Sequence, residues 1–320
     1  MNGRLPDPDA VARFRADLEA LTGAAPGPLG IAVSGGPDSL ALLLLAWAAF
    51  PDRVSAATVD HRLRPESAGE AAFVHKVCAG LGVPHVVLAA DEAIAGNVQA
   101  AARALRYRLL ADWAAAGGIG WLLTGHHRDD QAETLLMRLQ RGAGLAGLAG
   151  IRPCTEIDGL KVARPLLGWP RAELALLVEA AGLEAVRDPS NEDERYDRAR
   201  LRRRLGETDW IDPEPLARSA EALAEADAAL EWSVERLIAE RVEAARGGLA
   251  FDPEGVPAEL RRRALLRLLA LLVPADPPRG DAVQRLLAAL DAGETATLAG
   301  VKCEGGPVWR LTPAPPRRGA

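Results

Sequence analysis

The chain has 320 residues, of which 49% are hydrophobic and 26% are charged, and its formal net charge is −6. This length favours two domains over one, and the negative charge excludes a global field that would attract nucleic acid, so RNA or DNA would need a local basic patch. Three cysteines without a C-x-x-C pair argue against a zinc knuckle, an iron–sulfur site or a redox pair.

The same features bear on localisation. The sparse cysteines suit a reducing compartment. The first residues lack the basic and then apolar pattern of a signal peptide, and no apolar run is long enough to span a bilayer. We therefore expect a cytoplasmic protein without membrane contact.

The predicted elements alternate between helix and strand up to residue 181. Helical spacing of apolar residues, short apolar runs and Gly or Pro stops define them. Helices are expected over 8–21, 39–50, 66–81, 97–116, 131–141 and 170–181, and strands over 29–33, 54–59, 84–88, 121–124 and 160–167. This alternation predicts an α/β fold with a doubly wound parallel sheet, in which ligands bind at the carboxyl ends of strands, at a topological switch point.

The composition shifts after Trp210. Further helices are expected over 215–245, 258–272 and 281–290, and short strands over 295–311. We therefore expect one domain over 1–211 and a second, smaller, mainly helical domain over 212–320.

A glycine turn joins the first predicted strand to the helix that follows. It contains Ser34, Gly35, Gly36, Pro37, Asp38 and Ser39. The glycines allow a tight turn and close approach of a ligand, and proline suits a first helical turn. Free N–H groups at such a helix start favour an anion, with phosphate or pyrophosphate as the natural ligand. The turn has neither a Walker lysine nor a G-x-G-x-x-G pattern, and alone it is equally consistent with an ordinary strand-to-helix connection.

Polar residues also follow two further predicted strands. Asp60 and His61 come after the second strand. The segment 124–134, after the fourth strand, contains His126, His127, Asp129, Asp130 and Glu133. Carboxylates there could hold Mg²⁺, orient an amine or act as a base. The alternative is that Asp129 or Asp130 caps the helix and Glu133 is merely solvated. Capping leaves the two histidines unexplained, and five ionisable groups in one turn favour a site.

Two groups of arginines carry less specific signals. Arg103 and Arg106 lie along one side of the helix over 97–116, where they could neutralise charge in a transition state or form a surface stripe. A second group, Arg198, Arg200, Arg202 and Arg203, forms a local basic cluster. It could contact RNA phosphates without reading sequence, or it could be a solvated helix face.

Several motifs occur in order within residues 29–204. They are Ser-Gly-Gly-Pro-Asp-Ser at 34–39, Val-Asp-His-x-Leu-Arg at 59–64, Ala-Arg-x-x-Arg-Tyr at 102–107, Thr-Gly-His-His-x-Asp-Asp-Gln-Ala-Glu-Thr at 124–134 and Arg-Pro-Leu-Leu at 164–167. In this combination the chain resembles the tRNA(Ile)-lysidine synthase family of N-type ATP pyrophosphatases, within the PP-loop superfamily. The resemblance implies an adenine nucleotide alpha hydrolase-like fold, a catalytic PP-loop domain over 1–211, and a domain over 212–320 that assists tRNA binding.

The resemblance also implies an activity. Such a ligase joins free L-lysine to C2 of the wobble cytidine of a tRNA(Ile) with a CAU anticodon. Cytosine O2 attacks the α-phosphate of ATP and pyrophosphate leaves; the lysine ε-amine then displaces AMP to give lysidine. ATP and Mg²⁺ are the implied cofactors and tRNA(Ile) is the implied partner. The oligomeric state stays open, a homodimer included.

Roles for individual residues follow from the resemblance. Residues 34–39 would bind pyrophosphate, Asp38 would position Mg²⁺, and main-chain atoms near Asp60 and His61 would hold adenine or ribose. Arg103 or Arg106 would contact the developing negative charge. The lysine seat and the base that takes its proton would come from His126, Asp129, Asp130 and Glu133. The contacts to RNA would come from Arg198, Arg200, Arg202 and Arg203.

Three alternatives remain open from the sequence. A tRNA thiolation enzyme would share the turn at 34–39 but would usually have paired cysteines, which this chain lacks. A small-molecule amidating ligase would share the turn without calling for the cluster at 124–134. A non-catalytic nucleotide-binding module is the third.

Overall fold

The computed structural model describes residues 5–24, 26–60, 67–89, 98–186, 197–208, 210–274, 278 and 280–314. Contacts divide the chain into two compact units, Met1–Ala224 and Glu225–Ala320. None of the helices in these described ranges combines the length and the apolar run that crossing a bilayer requires.

The first unit is built on a six-stranded sheet. Its strands are β1 (Leu29–Ala32), β2 (Val54–Asp60), β3 (His85–Ala89), β4 (Trp121–Leu123), β5 (Cys154–Ile157) and β6 (Leu160–Ala163). The strand order is β3-β2-β1-β4-β6-β5, and every pair is parallel except the β5–β6 hairpin. The predicted parallel α/β sheet is therefore confirmed, while β5 was not predicted.

Helices flank this sheet. They are α1 (Pro8–Thr22), α2 (Pro37–Ala49), α3 (Ser67–Leu81), α4 (Val98–Ala116), α5 (Arg128–Gln140), α6 (Leu145–Leu148), α7 (Arg171–Ala180), α8 (Asp197–Gly206) and the start of α9 (Pro213–Arg241). The apolar run Leu40–Ala46 of α2 is buried along its whole length and forms the centre of the core. Helix α5 begins at Arg128, earlier than expected, so Asp129 and Asp130 lie within its first turn.

The sheet topology creates a switch point between β1 and β4. The chain runs from β1 to β2 and β3 on one side, and then returns to add β4 on the other side of β1. The turn after β1 and the segment after β4 therefore lie next to each other at the carboxyl edge. Gly125 makes this possible, since a Cβ there would lie 2.9 Å from the carbonyl oxygen of Asp38.

The second unit contains the rest of α9, with α10 (Ala258–Leu272), α11 (Gly280–Asp291) and a five-stranded antiparallel sheet. Its strands are β7 (Val242–Ala245), β8 (Gly248–Phe251), β9 (Thr295–Leu298), β10 (Val301–Glu304) and β11 (Trp309–Pro313). The strands predicted over 295–311 are present. The helix predicted up to residue 245 ends at Arg241, and the chain turns there into the β7–β8 hairpin through Gly247, whose φ is +79°.

The division between the units falls inside α9, later than the boundary at residue 211 expected from composition. The first turns of α9 bind to the first unit: Arg128 pairs with Glu214 at 2.9 Å, and Arg152 donates to the carbonyl of Ala224 at 3.4 Å. A continuous helical pattern gives no sign of where such contacts stop.

Candidate active site

The turn after β1 presents an open helix start. Gly35 adopts a φ of +86°, and Gly36 precedes α2 without a side-chain cap. The Ser39 hydroxyl donates to the carbonyl of Gly36 at 3.0 Å and accepts from the N–H of Ser34 at 3.2 Å, which fixes the shape of the turn. Uncapped N–H groups and the positive end of the helix dipole suit a phosphate group.

Asp38 lies in the first turn of α2 and has one unsatisfied oxygen. Its Oδ1 is buried without a hydrogen-bond partner among the described residues. A free carboxylate oxygen beside a turn that suits a phosphate group fits Mg²⁺, which binds proteins through one or two carboxylates and takes its other ligands from phosphates and water. Within the described ranges, no group of three or more His, Cys, Asp or Glu side chains forms a metal cage.

His127 is a buried cation held by three carboxylates. Its ring is 1% exposed, with Nε2 at 3.5 Å from Asp38 and 3.6 Å from Asp130, and Nδ1 at 3.6 Å from Asp129. Burial alone would lower the pKa of His127, but the carboxylates of Asp129 and Asp38 outweigh it and raise the pKa to about 9. Because the charged ring donates from both nitrogens, it has no lone pair with which to accept a hydrogen bond. The contact of 3.4 Å between Nδ1 and the N–H of Asp130 would be a hydrogen bond only if the ring were neutral.

The contacts at the start of α5 decide the alternative interpretation, in which Asp129 or Asp130 caps this helix. His127 is the residue before α5, and its N–H donates to Asp130 Oδ2 at 3.1 Å. Asp129 instead accepts from the N–H of Arg171 at 2.9 Å and so holds the start of α7. Burial would raise the pKa of Asp129, but the bonds from His127 and Arg171 lower it to about 2. Capping therefore occurs, and it uses the same side chains as the ionic cluster.

Asp130 and Glu133 form a buried acidic pair on one face of α5. Glu133 accepts from Arg198 Nε at 2.7 Å and from Arg202 Nε at 2.7 Å, and Asp130 Oδ1 accepts from Arg198 at 3.0 Å. Burial would raise the pKa of Asp130, but His127 and Arg198 lower it. Two of the four arginines expected to contact RNA therefore lie on the carboxylates of the site.

The other two arginines of that group lie at the surface. Arg200 pairs with Asp197, and Arg203 pairs with Glu207 at 3.0 Å. The Arg203 side chain is 66% exposed. Helix α8 thus presents Arg198 and Arg202 to α5 and its other arginines to solvent.

His126 differs from its neighbour in charge. Its Nδ1 lies 2.9 Å from the hydroxyl of Thr124. Burial lowers the pKa of His126 to about 4; Asp130 opposes this shift, and Arg164, Arg198 and Arg103 add to it. His126 is therefore neutral at physiological pH, beside an imidazolium.

The arginines of α4 lie near a buried tyrosine. The guanidinium of Arg103 stacks over the ring of Tyr107, 4.9 Å from its centroid, and Tyr107 is 4% exposed. Arg106 is exposed on the same helix. Asp60 ends β2, and His61 lies outside the described residues.

Two residues of the site had no predicted role. His127 was part of the motif but was not assigned one; its position directly before α5 was the available signal. Arg164 was quoted only within Arg-Pro-Leu-Leu, and its burial depends on contacts with distant segments, which no local pattern reveals.

Comparisons with known proteins identify the family of the chain. A family model described as a PP-loop domain matches residues 12–208. A tRNA(Ile)-lysidine synthase of Novosphingobium aromaticivorans is 49% identical over 97% of this chain and 95% of its own length. One of Zymomonas mobilis is 46% identical over 92% of this chain and 91% of its own.

Among solved structures, the U34-tRNA thiolase NcsA of Methanococcus maripaludis aligns with a TM-score of 0.54 and 19% identity, covering 68% of this chain and 79% of its own; this likeness supports the fold alone. The two relatives, by contrast, extend over almost the whole chain and include the turn after β1 and the cluster after β4. The chain therefore belongs to the tRNA(Ile)-lysidine synthase family of PP-loop enzymes.

Proposed function

We propose that the protein ligates L-lysine to C2 of the wobble cytidine of a tRNA(Ile) with a CAU anticodon, producing lysidine, AMP and pyrophosphate. Family membership makes the chain an ATP-dependent ligase. The observation that carries the proposal is the contact of 3.5 Å between Asp38 and His127, which brings an anion-binding turn and a carboxylate cluster to one edge of the sheet.

In the first step, cytosine O2 attacks the α-phosphate of ATP and pyrophosphate leaves. The N–H groups at the start of α2 would hold the pyrophosphate, with the hydroxyls of Ser34 and Ser39 beside them. Mg²⁺ would neutralise phosphate charge when bound, and Asp38 Oδ1 is the atom that would hold it. Arg103 and Arg106 would face the charge that develops on the phosphoryl group, and residues near Asp60 would bind adenine or ribose.

In the second step, the lysine ε-amine attacks C2 and AMP leaves. Asp130 and Glu133 would seat the ammonium group and share their charge with Arg198 and Arg202. The amine must lose a proton to become a nucleophile. Asp129 is already engaged by the N–H of Arg171, so we propose that the proton passes to one of the remaining groups, His126, Asp130 or Glu133.

The remaining assignments concern partners. Arg200 and Arg203, on the solvent side of α8, are the proposed phosphate contacts for tRNA, assisted by residues 212–320. We place the reaction in the cytoplasm, where ATP, lysine and tRNA are available.

One assay tests the proposal. Pyrophosphate release should require both lysine and a tRNA(Ile) with a CAU anticodon, and radiolabelled lysine should become part of the tRNA. Release with ammonia and a small acid would favour an amidating ligase, sulfur incorporation would favour a thiolase, and binding of ATP without any release would favour a non-catalytic module. Any of these three results would overturn the proposal.

A further inference from the structure

The hydroxyl of Thr58 holds the point at which β1 leaves the sheet. The ladder between β1 and β2 ends at the pair Ala32 and Ala57, and the next residue of the first strand, Val33, directly precedes the turn. The Thr58 hydroxyl donates to the carbonyl of Val33 at 2.8 Å, and Thr58 is 6% exposed. A buried side chain of β2 thus continues the contact between the two strands one residue beyond their ladder.

The peptide group between Val33 and Ser34 is held at both ends. Its carbonyl accepts from Thr58, and its N–H, which belongs to Ser34, donates to the hydroxyl of Ser39 at 3.2 Å. Because a peptide group is planar, hydrogen bonds at its two ends fix the orientation of the whole plane. Ser39 in turn donates to the carbonyl of Gly36 at 3.0 Å. The orientation of this peptide therefore determines how the turn begins.

Thr58 has a second partner on β3. His85 lies opposite Ala56 in the register of β2 and β3, so its side chain shares a face with Thr58, two residues further along β2. Nε2 of His85 lies 2.9 Å from the Thr58 hydroxyl. A hydroxyl group has a single proton, and that of Thr58 is donated to Val33. His85 must therefore be the donor in this contact, with a proton on Nε2.

The other nitrogen of His85 faces a second histidine. Its Nδ1 lies 3.3 Å from Nδ1 of His75, an exposed residue of α3. Burial and the charge of His75 lower the pKa of His85, so the ring is neutral at neutral pH. A neutral ring with its proton on Nε2 accepts at Nδ1, and His75 is then the donor. The five hydrogen bonds from His75 to Gly36 all run in one direction, and in such a series each bond polarises the next.

The tautomer of His85 decides what the Thr58 hydroxyl does. If the proton of the neutral ring moved to Nδ1, the lone pair of Nε2 would compete with the carbonyl of Val33 for the single hydroxyl proton. A donor at His75 favours the tautomer with the proton on Nε2, because Nδ1 must then accept. A residue on the surface of α3 is thus connected to the peptide that begins the turn.

We propose that Thr58 and His85 are positioning residues for the turn after β1. They act by orienting the peptide between Val33 and Ser34, and not by contact with the nucleotide. His75 supports them by holding His85 in one tautomer. The inference rests on the proposed function, in which the N–H groups of this turn hold the pyrophosphate part of ATP.

The first test measures the binding of ATP, inorganic pyrophosphate and AMP to the full chain. Thr58→Val keeps the branched shape of the side chain but removes the hydroxyl, whereas Thr58→Ser keeps the hydroxyl. We expect Thr58→Val to weaken ATP and pyrophosphate by about tenfold and AMP by about twofold or less, because a buried carbonyl beside the turn loses its donor. Thr58→Ser should stay within about threefold of wild type. Ser55→Ala, which removes a hydroxyl from the opposite face of β2, is the matched control.

The second test observes the tautomers directly. The chain has five histidines, so nitrogen NMR can assign each ring by substitution. We expect the wild-type His85 ring to carry its proton on Nε2, and His75→Ala to increase the population with the proton on Nδ1. His85→Phe, which keeps a ring but has no donor, should weaken pyrophosphate binding by about threefold or more. This variant also decides the matter if Thr58→Val does not fold.

Three results would overturn the positioning role. They are wild-type affinity for pyrophosphate in folded Thr58→Val and His85→Phe variants, equal losses for AMP and pyrophosphate in either variant, and a wild-type His85 ring with its proton on Nδ1. Failure of the proposed function is a separate outcome. Wild-type protein that binds ATP and pyrophosphate but joins no lysine to tRNA contradicts the reaction, while the comparison of variants still decides the role of Thr58. Wild-type protein that binds no pyrophosphate contradicts both.

Discussion

Nε2 of His127 lies 3.5 Å from Oδ2 of Asp38, so the start of α5 is bound to the turn that follows β1. The imidazolium also contacts Asp130, which shares its arginine partner Arg198 with Glu133. The turn that suits phosphates and the carboxylates proposed to seat an amine therefore belong to one ionic network. A substitution in the turn after β1 should therefore affect the carboxylates of α5, and the reverse.

Gly125 sets the distance between the two ends. Because a Cβ there would lie 2.9 Å from the carbonyl of Asp38, Gly125→Ala must displace the start of α5 or of α2. We expect a cost of about 1–3 kcal/mol in stability, read from urea unfolding, and about tenfold lower kcat. Gly120→Ala is the matched control, since a Cβ there meets nothing within 4 Å. A fully active Gly125→Ala variant would contradict this view of the contact.

Glu133 should determine the affinity for lysine. Glu133→Gln keeps the size of the side chain but removes the charge that two arginines share, and we expect the KM for lysine to rise by about tenfold or more while the KM for ATP changes by about twofold or less. Glu207→Gln, 61% exposed and paired with Arg203, is the control. Equal effects on the two KM values would argue against a lysine seat at Glu133.

The two faces of α8 should have different roles. Arg203→Glu should weaken tRNA binding and reduce its salt slope by about one, without changing ATP binding. Arg202→Glu places a third carboxylate beside Asp130 and Glu133, so it should impair lysine use even at saturating tRNA. Arg53→Glu, an exposed change just before β2 at the opposite edge of the sheet, is the control. Unchanged tRNA affinity of Arg203→Glu over a salt series would remove Arg203 from the RNA contacts.

Asp129 should contribute to stability in a pH-dependent way. Burial would raise its pKa, but His127 and the N–H of Arg171 lower it from 3.8 to about 2. Because the folded-state pKa lies below the unfolded value, this contribution is present above about pH 4 and is lost as the pH falls towards about 2. The difference in unfolding free energy between wild type and Asp129→Asn should therefore shrink between about pH 5 and about pH 2.5. A difference that stays constant over this range would contradict the prediction, and Asp112→Asn, an exposed change on α4, is the control for general effects of acid.

Local patterns predicted the parallel sheet and both ends of the network. The strand before Ser34, the glycines after it and the ionisable residues after Thr124 all lie within short segments, and the rule that parallel strands align their carboxyl ends brings those segments together. Periodicity and turn residues are enough to identify such strands and turns, because both are local features of the sequence.

Contacts between residues far apart in the chain could not be predicted from the sequence. Arg198 and Arg202 were interpreted as RNA contacts because they are basic and clustered, whereas their partner Glu133 lies on another helix. The β7–β8 hairpin was missed for a related reason: Val242–Ala245 continues the composition of α9, and only pairing with Gly248–Phe251 makes it a strand.

The arginines on Glu133 have a consequence for substrate choice. In the proposed reaction, free arginine is the cellular amino acid whose side chain most resembles that of lysine in charge and length. Its planar guanidinium binds carboxylates through two parallel hydrogen bonds, and Arg202 already makes such a pair with Glu133, at 2.7 Å and 3.0 Å. A compact ammonium needs only a single free lone pair. In the proposed lysine seat, the guanidinium groups of the protein itself would therefore exclude free arginine before any chemistry begins.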